Sequence, residues 1–531
     1  MSAWSPFQYR VYRYLWIALL ASNIGTWMQA VGAAWLMVQL HASPAVVALV
    51  QTASYLPVVI VGVAAGAIAD MVERRLLLLV TQVFMFVAAA GLAVVTAVGA
   101  VTPLSLLAFT FALGLGMAFN YPAWQAIQPE LVPKEEFKQA VTLGGANINL
   151  GRAIGPAVGG LLIAAAGPWL VFALNAASFA FVLVVLWRWQ RPVEEDPGPP
   201  ERFAGAVRAG VRYAMFSHVL HGVVLRSFVF GAASAGLLAL LPVYAKDVLG
   251  TGSGGLGLLY AGIGGGAVAT AAVIPRVREH LSADWVFAVG SVIVAAALLA
   301  LALVHSLLPA FLVTLVAGVG WLFCLSTLNV ASQEALPGWV RARGLAFYLT
   351  AISAGIALGA FLWGRLANVT GTQVTYAWSA LAIVVTVALA RRWRFDRIAE
   401  VDLRPAPMAA PEAGLIEGDK ATSSPALVVV GYDVRPECED DFLRALRMVG
   451  RARRRTGAMS WNVYRDADRE HRFIETYVLA SWEEHVRQHQ RRTVTDLELQ
   501  EEVWQYLRPG AEPTVKHYVE PPEPSMRLWS W

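Results

Sequence analysis

Residues 76–101 read LLLLVTQVFMFVAAAGLAVVTAVGAV, without one charged side chain. A helix rises about 1.5 Å per residue and the hydrocarbon core of a bilayer is about 30 Å thick, so roughly 20 such residues cross it. The same pattern recurs at 14–40, 45–69, 103–121, 141–166, 169–187, 219–245, 254–275, 284–304, 307–330, 344–367 and 374–390. Buried helices of a large soluble protein are also apolar, but twelve nearly uncharged runs exclude that class. The composition agrees: 57% of the 531 residues are hydrophobic and 15% charged, against about 25% charged in a soluble domain. The expected fold is an all-α polytopic membrane protein with 12 transmembrane helices, followed by a small polar domain.

The net charge of +4 is carried by loops. No basic stripe with interleaved aromatics is present, which argues against a nucleic-acid partner. Cys324 falls in a membrane run and Cys438 in the polar tail, so no disulfide is expected. There is no Gly-rich dinucleotide loop and no P-loop, so neither a cofactor nor ATP is implied. The start, MSAWSPFQYRVYRYLW, is basic and then apolar like a signal peptide. Its apolar stretch is longer than one and carries Asn23, Thr26 and Gln29, which suit an uncleaved span lining a cavity. Lys and Arg collect in alternate loops: Arg74 and Arg75, Arg188 to Arg212, Arg276 and Arg278, Arg341 and Arg343, Arg391 to Arg397. With cytoplasmic termini all of these lie inside, as the positive-inside rule requires.

A shift of 204 residues aligns the chain with itself. Glu130 meets Glu334 and Pro133 meets Pro337. Gly151, Gly155, Gly160 and Gly167 meet Gly355, Gly359, Gly364 and Gly371. One register across a polar turn and a whole helix marks two pseudo-symmetric six-helix halves. The expected divisions are 1–190 (first half), 191–217 (cytoplasmic central loop), 218–398 (second half), 399–424 (a Pro/Ala/Glu/Gly linker) and 425–520 (cytosolic domain).

The loop after the second helix reads Gly66-Ala-Ile-Ala-Asp70-Met71-Val-Glu73-Arg74-Arg75. It resembles the major facilitator superfamily motif G-x-x-x-D-R-x-G-R-R; Gly66, Asp70, Arg74 and Arg75 fit, while Met71 and Glu73 depart. A carboxylate at a helix end beside basic residues can pair, cap a neighbour and close a gate, or it can simply be a charged turn that fixes topology. The fifth helix reads Gly151-Arg152-Ala-Ile-Gly155-Pro156-Ala-Val-Gly159-Gly160. This is similar to the family's antiporter motif G-x-x-x-G-P-x-x-G-G, which implies an exporter. Glycines four apart form a stripe that admits another helix closely, and Pro156 frees a carbonyl and invites a bend. Simple helix packing is the alternative. With Pro129-Glu130-Leu-Val-Pro133, these residues resemble the bacterial transmembrane secretion effector family, which includes siderophore exporters. The resemblance implies a bacterial inner-membrane exporter of a small molecule, driven by proton antiport, with membrane lipid around it.

Arg152 lies about ten residues into its helix, or about 15 Å deep, where a guanidinium marks a functional site by default. Arg226 is shallower and is expected to snorkel to the surface. No Asp or Glu falls in the middle of a span, so no residue carrying the coupled proton is visible; Asp247 and Arg152 are the remaining candidates. Asn23, Trp27, Gln29, Asn120, Trp124 and Asn329 are candidates for a substrate cavity.

In the tail, Ala426–Tyr432, Met459–Arg465, Arg472–Leu479 and Thr514–Tyr518 read as strands. Glu437–Arg454 and a stretch from Ser481 to about Leu507 read as helices. The order β-α-β-β-α-β is ferredoxin-like, and resembles small dimeric barrels, so this domain is a candidate for dimerisation. His485 and His489 are four apart on one helix, but no third ligand is placed, and Glu484 and Arg487 mark a solvated face, so no metal is expected. Trp461 and Asn462 are candidates for a pocket on the sheet, with Trp461 favoured as core. No catalytic residues are assigned and the chain is not expected to be an enzyme; the alternative is a fusion in which the tail is catalytic or signalling.

Overall fold

Two glycines with left-handed backbone, Gly167 (φ 88°) and Gly371 (φ 82°), each end a 30-residue helix in the computed structural model. Each returns its N–H to the carbonyl four residues back, on Ile163 and Ala367. Only glycine adopts this conformation without strain, so the 204-residue register carries equivalent backbone geometry. The structure describes residues 4–189, 203–390, 394–395, 401–406 and 424–521.

The helices are α1 Arg10–Gln39, α2 Pro44–Met71, α3 Arg74–Ala97, α4 Pro103–Ile127, α5 Phe137–Ala166 and α6 Pro168–Arg188 in the first half. A short helix α7 Phe203–Phe216 follows. The second half has α8 His218–Ala239, α9 Ser253–His280, α10 Ala283–Leu303, α11 Leu307–Glu334, α12 Arg341–Thr370 and α13 Thr372–Ala390. Among the described residues ten of these are long and apolar enough to cross a membrane, α8 continuing through a π turn to Val248. The other two expected spans are α1, diluted by its polar side chains, and α13, whose apolar part Thr372–Ala388 is shorter. The stretch 191–217, expected as a cytoplasmic central loop, contains α7 at residues 203–216, and 191–202 lie outside the described residues.

The chain divides into two units. One is the helical bundle: Met1–Phe203, Gly222–Ser332 and Leu345–Asp396. In it the glycine stripe meets its expected partner. A Cβ on Gly151, Gly155 or Gly159 would come within 2.7–3.0 Å of Asn23, Ile24, Trp27 or Met28 on α1. Their counterparts Gly355 and Gly359 press in the same way on the Phe228 and Ala232 carbonyls of α8. Across the halves, Gly160 faces Gly257 of α9, and Gly364 faces Ala45 and Ala48 of α2. Small residues therefore let backbones touch both within and between halves.

The second unit joins Ala204–His221 and Gln333–Gly344 to the tail, Arg397–Trp531. The tail's strands β1 Ala426–Asp433, β2 Ser460–Arg465, β3 Arg472–Leu479 and β4 Thr514–Val519 form one antiparallel sheet in the order β2-β3-β1-β4. Its helices are α14 Glu439–Thr456, α15 Trp482–Gln490 and α16 Val494–Trp504. This is the ferredoxin-like order, with a core of Val428, Val430, Phe442, Leu446, Phe473 and Leu479. The helix expected from Ser481 to Leu507 is broken, because Thr493 and Asp496 form a capping box that starts a new one. Ser481 caps α15 as expected, accepting from the Glu484 N–H. Part of the expected linker, 401–406, lies against α16, with the Val494 N–H donating to the Arg404 carbonyl.

Candidate functional site

The loop after α2 ties the first half together at one end. Arg74 pairs with Glu130 at 2.7 Å. Arg75 donates to the carbonyls of Leu186 and Trp187, at the C-terminus of α6, where a cation satisfies orphan acceptors. Glu73, which departs from the motif, accepts from the Leu76 N–H and caps α3. Asp70 and Met71 occupy the last turn of α2, and their side chains lie outside the described residues. Gly66 stands 3.9 Å, through a built Cβ, from Ala346 of α12.

A cavity of about 380 Å³ lies between the halves. Its wall is largely apolar, with Trp27 and Gln29 from α1, Gln51 and Tyr55 from α2, Tyr121 from α4 and Tyr260 from α9. That size and lining suit a drug-sized, partly aromatic molecule. Arg152 sits directly behind this wall, its guanidinium 5.3 Å from the Trp27 ring. Among the described residues its buried Nε has no hydrogen-bond partner, and no carboxylate stands within ion-pair distance. The cation is thus held against an aromatic face.

Of the six cavity candidates only Trp27 and Gln29 line this space. Asn23 donates to Asn147, whose amide donates to the Trp16 carbonyl, joining α1 to α5. Asn120 accepts from Thr81 and Gln82 and joins α3 to α4. Trp124 packs into a core with Tyr12, Leu15 and Ile127. Asn329 hydrogen-bonds Tyr348. The three asparagines are each bonded to a neighbouring helix, as a buried amide in lipid must be. Sequence reading missed Gln51, Tyr55, Tyr121 and Tyr260; Gln51 and Tyr55, one turn apart in an apolar helix, were the available signal.

Arg226 does not snorkel. It is 4% exposed, pairs with Asp284 of α10 at 2.6 Å and lies 3.9 Å from the Phe395 ring. The sequence separation of 58 hid the partner.

The model of the transmembrane secretion effector family matches residues 1–525. The chain belongs to that family. This transmembrane secretion effector is 23% identical to the staphyloferrin A transporter of Staphylococcus aureus over 69% of its length and 91% of the relative's. It is 25% identical to the multidrug efflux pump Tap of Mycolicibacterium fortuitum over 73% of its length and 97% of that protein's. Its fold matches the crystal structure of the nucleoside transporter NupG with a TM-score of 0.56 and 13% identity, covering 72% of this chain and 98% of that one. It is therefore a membrane transporter of the major facilitator type.

In the secretion effector's second unit, the tail holds α7 and the α11–α12 turn. Glu484 lies between Arg212 of α7 (3.1 Å) and Arg491 (2.6 Å). Arg491 in turn sits 4.8 Å from the ring of Trp339 in that turn. Tyr213, 2% exposed, donates to the Ala335 carbonyl and packs edge-on against Trp339. Burial lowers the pKa of Arg212, opposed by Glu484. His485, read as solvated, is 0% exposed, because His517 of β4 and Trp482 cover it, with His489 alongside. Burial drives its pKa down to about 3.

Proposed function

We propose that this chain exports a small, partly aromatic molecule by alternating access of its two halves. The observation that carries this is the cavity between the halves, walled by aromatics and backed by Arg152, beside the glycine-proline helix α5. Close packing of α5 on α1 and α9 leaves little room for side-chain adjustment there, so the halves move as rigid bodies about these contacts. The resemblance of α5 to the antiporter motif, and the relatives named for a siderophore and for drug efflux, support an outward direction and those substrate classes. By the same resemblance the coupling ion is the proton, and the one-sided Lys and Arg loops support cytoplasmic termini in an inner membrane. The test is substrate movement in inverted membrane vesicles, with and without an imposed pH gradient, across ferric-chelating siderophores and cationic drugs. Uptake of any of these, abolished by collapse of the gradient, is the expected result; gradient-independent vesicles that move none of them overturn the reading.

The tail is proposed to regulate this cycle. Through Glu484 and Tyr213 it grips α7, which runs into α8 after one residue, and the turn joining α11 to α12. A change in the tail thus reaches helix ends of the second half through the chain itself.

A further inference from the structure

The tail carries a groove of about 470 Å³, separate from the cavity in the helical bundle. It runs between α14 and the edge strand β2, and its lining includes Arg447, Arg454, Trp461, Asn462, Tyr464 and Arg465. Among the described residues no carboxylate lines it. Arg465 is neutralised by Glu439. Arg454 donates to the Trp461 carbonyl and lies against the Trp461 ring, with no carboxylate paired to it among the described residues. Arg447 is exposed and has no ion-pair partner among the described residues. The groove therefore presents two guanidinium groups with uncompensated charge.

Its aromatic wall is fixed from behind. The Trp461 indole N–H donates to Glu475 at 2.8 Å. Glu475 is 0% exposed and also accepts from Tyr432 and Arg453. A Cβ on Gly450 would collide with the Trp461 ring, so a glycine is what lets the indole lie across α14. A buried charged network that holds one half-exposed indole is the arrangement a preorganised site requires.

We infer that this groove binds a planar aromatic anion, its carboxylate across Arg447 and Arg454 and its ring against Trp461. Guanidinium groups take a carboxylate by charge-assisted hydrogen bonds, and stacking on a rigid indole costs little ordering entropy. Arg454 also faces the Phe216 ring of α7 at 5.7 Å, so a ligand that draws on Arg454 is felt by the helix the tail grips.

The experiment is saturation-transfer difference NMR on the full-length protein in nanodiscs, with sodium benzoate, cyclohexanecarboxylate and benzylamine as probes. Benzoate is expected to bind best and benzylamine not at all. Arg447→Gln, an exposed change that leaves the fold's hydrogen bonds intact, is expected to weaken benzoate about tenfold, the worth of one charge-assisted hydrogen bond. Gly450→Ala, by displacing Trp461, is expected to reduce the preference for benzoate over cyclohexanecarboxylate. Benzoate binding unchanged in Arg447→Gln, benzylamine binding as well as benzoate, or no benzoate signal at millimolar concentration would each overturn the assignment.

Discussion

Gly160 of α5 and Gly257 of α9 meet backbone to backbone: a Cβ on Gly160 would stand 2.8 Å from the Gly257 Cα, and one on Gly257 would stand 2.9 Å from the Gly160 Cα. This contact joins the two halves, and the 204-residue register repeats it as Gly364 against Ala45 and Ala48. Gly160→Val is expected to keep the protein in the membrane but reduce transport at least about tenfold, because the side chain forces the helices apart. Gly265→Ala, at a position with nothing within 4 Å, is expected to transport normally and to be slightly more stable, since alanine favours helix by about 1 kcal/mol over glycine. Vesicle transport with quantified membrane expression checks both.

Arg152 supplies the second test. Arg152→Ala is expected to abolish efflux while the protein still reaches the membrane, and Arg152→Lys to restore only part, because an ammonium does not spread over the Trp27 ring as a guanidinium does. Wild-type efflux by the alanine variant would remove Arg152 from the mechanism.

The pair Arg226–Asp284 is structural. Asp284→Asn takes away the charge that this contact sets against the buried Arg226 guanidinium, a change of the kind that costs about 3 kcal/mol. Asp284→Asn and Arg226→Met are each expected to lower the melting temperature in detergent. The double change to Asn and Met is expected to lose less than the sum of the two single changes, since each single change already breaks the same contact. Additive losses in a double-mutant cycle would show that the two side chains do not interact.

Glu484→Gln removes the charge between Arg212 and Arg491. Trypsin is expected to cut at Arg208 and Arg212 several-fold faster in this variant, as read by mass spectrometry of timed digests, because α7 is released more often. Equal cleavage rates would mean that the tail does not hold α7 by this contact.

The His485 pKa falls from 6.5 to about 3 in the folded tail. Below pH 6.5 the unfolded chain binds a proton that the folded one refuses. Stability therefore drops as pH falls from about 6.5 to about 3, by about 1.4 kcal/mol per unit from this group, and levels off below that. His485→Phe is expected to flatten that part of the profile, measured by calorimetric unfolding of the full chain between pH 7 and 4. A variant that loses stability with the same slope as the wild type would contradict the burial argument.

The spans and the halves were legible because both are periodic properties of the chain. Lipid demands long apolar helices, and a repeated half must repeat its glycines. Gly167 and Gly371 even reveal the shared helix ends. The tail's succession of strands and helices followed from short-range patterns as well, whereas its broken second helix turned on one cap at Thr493.

The cavity was only partly legible. Trp27 and Gln29 face it, whereas Asn23 and Asn120, equally polar and equally buried in sequence terms, bond neighbouring helices. A side chain's role here depends on which helix lies opposite, and sequence periodicity gives a face without its neighbour. The same limit turned Arg226 from a snorkelling residue into half of an ion pair and buried His485 under β4.

Sequence alone thus determined the number and similarity of the halves, the family and the tail's order, since these rest on composition, local pattern and a fixed register. Tertiary structure decided which polar groups meet: Arg152 with Trp27, Arg226 with Asp284, Glu484 with Arg212. Electrostatic and hydrogen-bond partners are set by distances of a few ångströms between segments far apart in the chain, and no one-dimensional pattern encodes those distances.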